Sequence, residues 1–310
     1  QGERAGGSPR DAAPAVLRDA ATPGEAVSDA ATRFDAAARG DGSAPNDTAP
    51  RRDAAAASDA AARGDAAAER DAATRLDAAA VSDAAPRADA AALAVLRFTV
   101  FSRTQGFRHD AIEPAQAALS DIAQQLGAAI ALTEDSGVLT AMLPQTDVVV
   151  FLMTTGDVLD DTQQAAFEAF IRAGGGFLGV HSSADTEYNW PFYETLNGAW
   201  FDSHPAIQPA RLQLQAAEHP TVSFLPAVWQ RTDEWYNFRE NPRGAVDVLV
   251  TIDETSYEGG THGEDHPVIW CHRIGAGRAF YTALGHTQES WREPLFLQHI
   301  EAALGWAAGR

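Results

Sequence analysis

His181 and Asp185 in GVHSSADTEYNW, Glu234 in DEWYNF, and His286 and Glu289 in GHTQE are the polar residues best placed for chemistry. Histidine changes protonation near neutral pH and ligates metals, so each could act as acid, base or ligand. His181 follows the glycine-led apolar run GGGFLGV, where many α/β enzymes mount a nucleophile on a strand-to-helix turn. GVHSS lacks the second glycine of G-x-S-x-G, and the single cysteine, Cys271, lies elsewhere in an apolar run. A thiol acyl-enzyme at this turn is therefore excluded by residue type, and a nucleophilic Ser182 is a minor reading. The bland alternative for His181 is a turn histidine held only by hydrogen bonds.

His286 and Glu289 follow a late strand, AFYTAL, much as a His-x-Glu element follows a strand in class I glutamine amidotransferases, with a gap one residue longer. If the topology matches, His181 and His286 approach each other. Two histidines with a carboxylate such as Glu234 or Asp185 would then suit a divalent metal, although the spacing fits no compact metal motif. Asp233-Glu234-Trp235-Tyr236 puts two acids beside two aromatics, and Tyr188, Trp190, Tyr193 and Trp200 repeat that mixture. Aromatic faces with acceptors suit a sugar, and a plain aromatic core is an equal alternative. His262, Glu264, Asp265 and His266 read first as a solvated loop; His204-Pro205 reads as a turn near the aromatic segment.

These groups need a scaffold, and from Leu96 onward the sequence alternates strand and helix. RFTVF (97–101), 129–132, DVVVFL (147–152) and 177–180 read as strands; 112–126 and 160–172 carry helical spacing. The alternation predicts an α/β fold: a doubly wound, mostly parallel, flavodoxin-like sheet, with β-rich elements at 210–215, 246–252, 268–273 and 278–284 and a closing helix at 294–306. Ligands of such sheets sit beyond the strand carboxyl ends. Four of those ends here carry polar groups: 102–109, 154–157, 181–185 and 285–289.

The first 95 residues are of another kind. Asp recurs every sixth residue from Asp29 to Asp89, mostly as Asp-Ala-Ala, with few large apolar side chains. The i,i+4 Asp–Arg pairs support transient helix, but Gly40, Gly42, Pro45, Pro50, Gly64 and Pro86 interrupt it and no apolar stripe forms. A disordered or transiently helical tail at 1–95, before one domain at 96–310, is the expectation. It is similar in composition to tethers that hold exported domains at an envelope, and Gln1 in place of Met is what removal of a leader would leave. An exported, tethered location is the reading, with a cytoplasmic one as the alternative.

Net charge is −20, of which the tail supplies −5, from 16 acids against 11 arginines up to Leu96. An acidic domain repels phosphate, so nucleic acid and anionic membrane are poor partners. All basic residues are arginine, which removes Schiff-base and P-loop lysine chemistry, and no nucleotide cofactor is expected. No apolar run approaches the roughly 20 residues of a membrane span.

GFRH (106–109), GDVLDDTQQAAFEAFIRAGGGFLGVHSSADTEYNWPFY (156–193), DEWYNF (233–238), HPVIW (266–270) and GRAFYTALGHTQESW (277–291) together resemble the ThuA-like trehalose-utilisation family. The resemblance runs from about 97 to 308 and leaves the tail outside. It implies a class I glutamine amidotransferase-like fold without the catalytic cysteine, carbohydrate metabolism with 3-keto glycosides as substrate class, and a divalent metal. On this chain it points to His109, His181, Glu234 and His286 as catalytic, with His181, His286 and Glu234 as metal ligands. Asp185, Tyr188, Trp190, His204, Trp235 and His266 are the expected sugar-holding residues. The competing expectation is a non-catalytic sugar-binding module tethered by its tail.

Overall fold

The computed structural model describes residues 95–310. The Asp-Ala-Ala repeat, expected to be disordered or transiently helical, lies outside the described residues. The chain runs β1 (Arg97–Phe101), α1 (Ile112–Leu126), β2 (Ala129–Thr133), α2 (Ser136–Met142), β3 (Val148–Leu152), α3 (Asp161–Arg172) and β4 (Gly176–Val180). It continues through α4 (Pro191–Asn197), β5 (Phe201–Ser203), β6 (Gln208–Leu214), β7 (Val228–Asp233), β8 (Asn237–Phe238), β9 (Asp247–Ile252), β10 (Pro267–Ile274), β11 (Gly277–Thr282) and α5 (Pro294–Ala307).

Nine strands form one sheet in the order β2-β1-β3-β4-β11-β10-β9-β6-β7. The first five are mutually parallel, which gives the expected flavodoxin-like order with β11 in fifth place. The later β-rich segments extend this sheet antiparallel, so the whole is mixed. Each antiparallel step reverses direction, so β9 and β7 again point the way of the parallel half. The carboxyl ends of β4, β11 and β7 therefore share one edge of the sheet.

Burial on both faces explains the unbroken apolar strands. Val148, Val150, Leu178 and Val180 face α1 and α5 through Ile112, Leu119, Phe296 and Ile300. Val149, Phe151 and Phe177 face α3 and α4 through Phe167, Ile171 and Leu196. Truncating a ring such as Phe151 to alanine would cost about 3–5 kcal/mol in lost burial and cavity. At the start of α3, Asp160 accepts from the Gln163 N–H at 2.9 Å, while the Gln163 side chain accepts from the Asp160 N–H at 3.0 Å. Cys271 is buried in β10, and burial pushes its thiol up to about 12, as expected of a structural thiol. No helix among the described residues is long and apolar enough to cross a membrane.

Candidate functional site

β4 ends in a five-residue 3-10 turn, His181–Asp185, which His181 enters with φ 51°. That left-handed backbone is unusual for a side-chain-bearing residue and turns the imidazole off the strand into the sheet edge. The ring is wholly buried. Its Nδ1–H donates to the Ala283 carbonyl just beyond β11 at 2.9 Å, and the Tyr281 hydroxyl donates to the His181 carbonyl at 2.9 Å. Because a carbonyl only accepts, Nδ1 carries the hydrogen and Nε2 is left with a lone pair.

Three basic atoms meet at that lone pair. His181 Nε2 lies 2.9 Å from His286 Nδ1 and 3.3 Å from Glu234 Oε2, and His286 Nδ1 lies 3.0 Å from the same Oε2. One proton, on His286 Nδ1, serves the three. His109, delivered by the loop after β1, completes the group, with its ring centroid 4.8 Å from that of His181 and 4.9 Å from that of His286. One donor atom from each of His109, His181, Glu234 and His286 lies within 4.8 Å of all the others. Three imidazoles and a carboxylate sharing too few protons fit a divalent cation of the zinc, manganese or iron kind.

The electrostatics follow from this crowding. Burial works to raise the Glu234 pKa, but the imidazoles packed against it, with the His286 hydrogen bond, hold it well below the usual carboxylate range. Burial works to lower His286, yet the Glu234 hydrogen bond and the charges of Glu234, Asp233 and Asp110 raise it above its ordinary value. His109 has no such carboxylate partner. Burial and the neighbouring His181 and His286 push it down to about 2, so it stays neutral.

Glu234 also reaches His204. His204 Nδ1 lies 3.0 Å from Glu234 Oε1 and 3.0 Å from the Pro205 carbonyl, both acceptors, so it carries hydrogen and leaves Nε2 as acceptor. With its side chain 40% exposed, His204 stands at the mouth of the group. A cleft lined by Asp110, Ile207, Gln288 and Glu289 opens beside His286.

The other expected sugar-holding residues lie apart. Asp185 accepts from the Tyr188 hydroxyl at 2.6 Å, and burial raises its pKa. One face of Tyr188 is covered by the Arg239 guanidinium, 4.1 Å from the ring centroid. Trp190 packs with Phe192 and Tyr193 in the core and is 8% exposed. Trp235 is fully buried, its Nε1–H donating to the Gln208 carbonyl. Neither indole presents a face to a sugar, because both are spent on the core. His266 lies behind the site: fully buried, it contacts Glu254 at 2.8 Å and donates to the Tyr236 carbonyl at 2.8 Å. The structure gives Tyr236 and Asp233, read in the sequence as part of an aromatic and acidic sugar-binding stretch, supporting places around the histidines. Tyr236 packs on the His181 ring at 4.2 Å, and Asp233 receives the main chain of His286. Ser182 Oγ lies 3.3 Å from His109 Nδ1, wholly buried.

Fold and site together define an α/β protein with one large mixed sheet, whose fourth strand runs into a histidine-bearing turn. Residues 97–307 match the ThuA family, described as trehalose utilisation, and the chain belongs to that family. Among solved structures it is similar to a ThuA-like protein from Bacteroides uniformis ATCC 8492, 22% identical, TM-score 0.56, the match covering 67% of this chain and 89% of that one. A ThuA-like protein from Parabacteroides merdae ATCC 43184 is 19% identical with TM-score 0.58, covering 69% of this chain and 90% of that one. At these identities the likeness is one of fold. No curated protein sequence matches the chain.

Proposed function

We propose that this chain is a carbohydrate-active enzyme that cleaves oxidised, 3-keto glycosides by proton abstraction, elimination and hydration. The carrying observation is the clustering of three imidazoles with Glu234 at the carboxyl edge of the sheet, at an elbow that carries no cysteine. A ketone at C3 acidifies the C2 proton. Its removal gives an enolate, which expels the C1 substituent as an alcohol. Water then adds at C1 and a proton returns to C2, so the balance is glycoside plus water to keto sugar plus alcohol.

A divalent cation held by His109, His181, Glu234 and His286 would supply Lewis-acid stabilisation of the charge that develops on the C3 oxygen. His204, outside those four and with its side chain 40% exposed, has Nδ1 committed to Glu234 and Pro205, and its other ring nitrogen is the base of this reading. Glu234 orients His204 through Oε1 and His286 through Oε2, while the Ala283 carbonyl orients His181. Asp185 is the acceptor for a sugar hydroxyl, in a turn that also holds His181.

The test is to incubate the full chain with 3-keto glycosides, with and without added Mn2+, Zn2+, Co2+ or Fe2+, and follow alcohol release. Cation-dependent release is expected. Absence of release with every cation would refute the enzyme reading, and sugar affinity without turnover would favour a binding module.

A further inference from the structure

The metal-cluster residues come from opposite halves of the sheet: His181 and His286 follow parallel strands, whereas Glu234 follows β7 at the antiparallel edge. One buried carboxylate joins them. Asp233 is fully buried at the end of β7. Its Oδ1 accepts from the Glu234 N–H at 3.1 Å and from the His286 N–H at 3.1 Å. Its Oδ2 accepts from the Gly285 N–H at 2.9 Å, Arg231 Nη2 at 3.0 Å and Ser290 Oγ at 3.2 Å.

We infer that Asp233 is the positioning residue that fixes Glu234 against His286, through one oxygen shared by the main-chain N–H groups of both. A carboxylate removed from water persists only with its lone pairs filled, and here five donors fill them. Two of the five belong to the residues whose side chains meet at 3.0 Å. Arg231 is itself held in place, its guanidinium over the Trp229 ring at 4.8 Å and the Phe296 ring at 4.9 Å. The pin is therefore braced from the core side and can impose its geometry on the turn at 285–286. Alternation along β7 puts Trp229, Arg231 and Asp233 on the buried face, and the next residue leaves the strand as the ligand.

An amide at 233 offers one acceptor oxygen where two are used and sets an N–H2 against donors. Asp233→Asn should loosen the Glu234–His286 spacing without emptying the site of ligand side chains. This inference rests on the cation reading above, so its test has two arms. In the first, Co2+ affinity and the visible ligand-field spectrum are measured on the full chain. In the second, the metal-free protein is examined by proton NMR for the downfield imidazole N–H resonance of the His286–Glu234 hydrogen bond. Asp233→Asn is expected to weaken Co2+ binding by about tenfold or more, to alter the spectrum, and to broaden or abolish the resonance. Ser290→Ala, which removes one donor, should act in the same direction by about two- to threefold, and it decides the question if the first variant does not fold. Asp160→Ala, which removes the α3 cap far from the site, should lower Tm and leave all three readouts unchanged. Affinity, spectrum and resonance like those of the wild type in both site variants would overturn the inference. A wild-type chain that binds no Co2+ would count against the cation reading alone, and the resonance would then decide the role of Asp233.

Discussion

His181 donates Nδ1–H to the Ala283 carbonyl at 2.9 Å, so the residue after β4 takes its tautomer from the residue after β11. Two neighbouring parallel strands thereby fix which nitrogen faces Glu234 and His286. A backbone acceptor behind a ligating imidazole is the usual way proteins aim its other nitrogen at a metal.

Cation binding should therefore stabilise the folded chain. At a cation concentration about a hundredfold above Kd, linkage gives about 2.7 kcal/mol. Thermal unfolding with Zn2+ or Mn2+ and with a chelator checks this. The rise in Tm should vanish in His181→Ala and Glu234→Gln. An equal rise in those variants would place the cation elsewhere.

Gly285 carries φ +103°, and a β-carbon there would lie 3.0 Å from the Phe296 ring. Gly285→Ala should cost about 1–3 kcal/mol by urea unfolding, because the backbone is strained and the ring must move. The same change should weaken cation binding, since it displaces the residue before His286.

Burial, partly offset by its hydrogen bond to the Thr221 carbonyl, pushes the wholly buried His299 down to about 4. The unfolded chain, with histidine near about 6.5, binds more protons between those values, so stability rises with pH through this window. His299 should therefore contribute a loss of about 3 kcal/mol as pH falls from 6.5 to 4. Urea unfolding at several pH values should show a shallower slope in His299→Gln. An unchanged slope would mean the loss originates elsewhere.

The parallel half of the fold was legible because its strands are buried on both faces and its helices carry plain periodicity: α1 and α3 begin and end where their spacing says. β7 was not, since VWQRTD is polar at alternate positions and its buried face holds Arg231 and Asp233 rather than aliphatics. The short α4 was hidden in an aromatic segment read for sugar chemistry. Its Trp190 and Tyr193 are packing residues, and chemistry and core draw on the same side-chain types. His181, His286, Glu234 and His109 could be named from their places after strands and from the family pattern. That three of them crowd onto one carboxylate could not, because it depends on how far the antiparallel edge reaches back over the parallel half. Glu289, expected beside His286 as a carboxylate partner, is exposed at the cleft, and Glu234 takes that place.

Sugar holding and cation holding should separate. Asp185 lies outside the four clustered residues and is bonded to Tyr188. Asp185→Asn should weaken keto-glycoside binding by about tenfold, the worth of a charged hydrogen bond, with cation affinity unchanged by calorimetry. Loss of cation affinity in that variant would move Asp185 into the metal group.

Proton NMR of a 3-keto glycoside in D2O with the cation-loaded full chain tests the central claim most directly, because it reads the C2 proton itself. Exchange of that proton for deuterium together with alcohol release is expected, both lost in His181→Ala and Glu234→Gln. Retention of the C2 proton in a substrate that binds, with every divalent cation supplied, would contradict the claim.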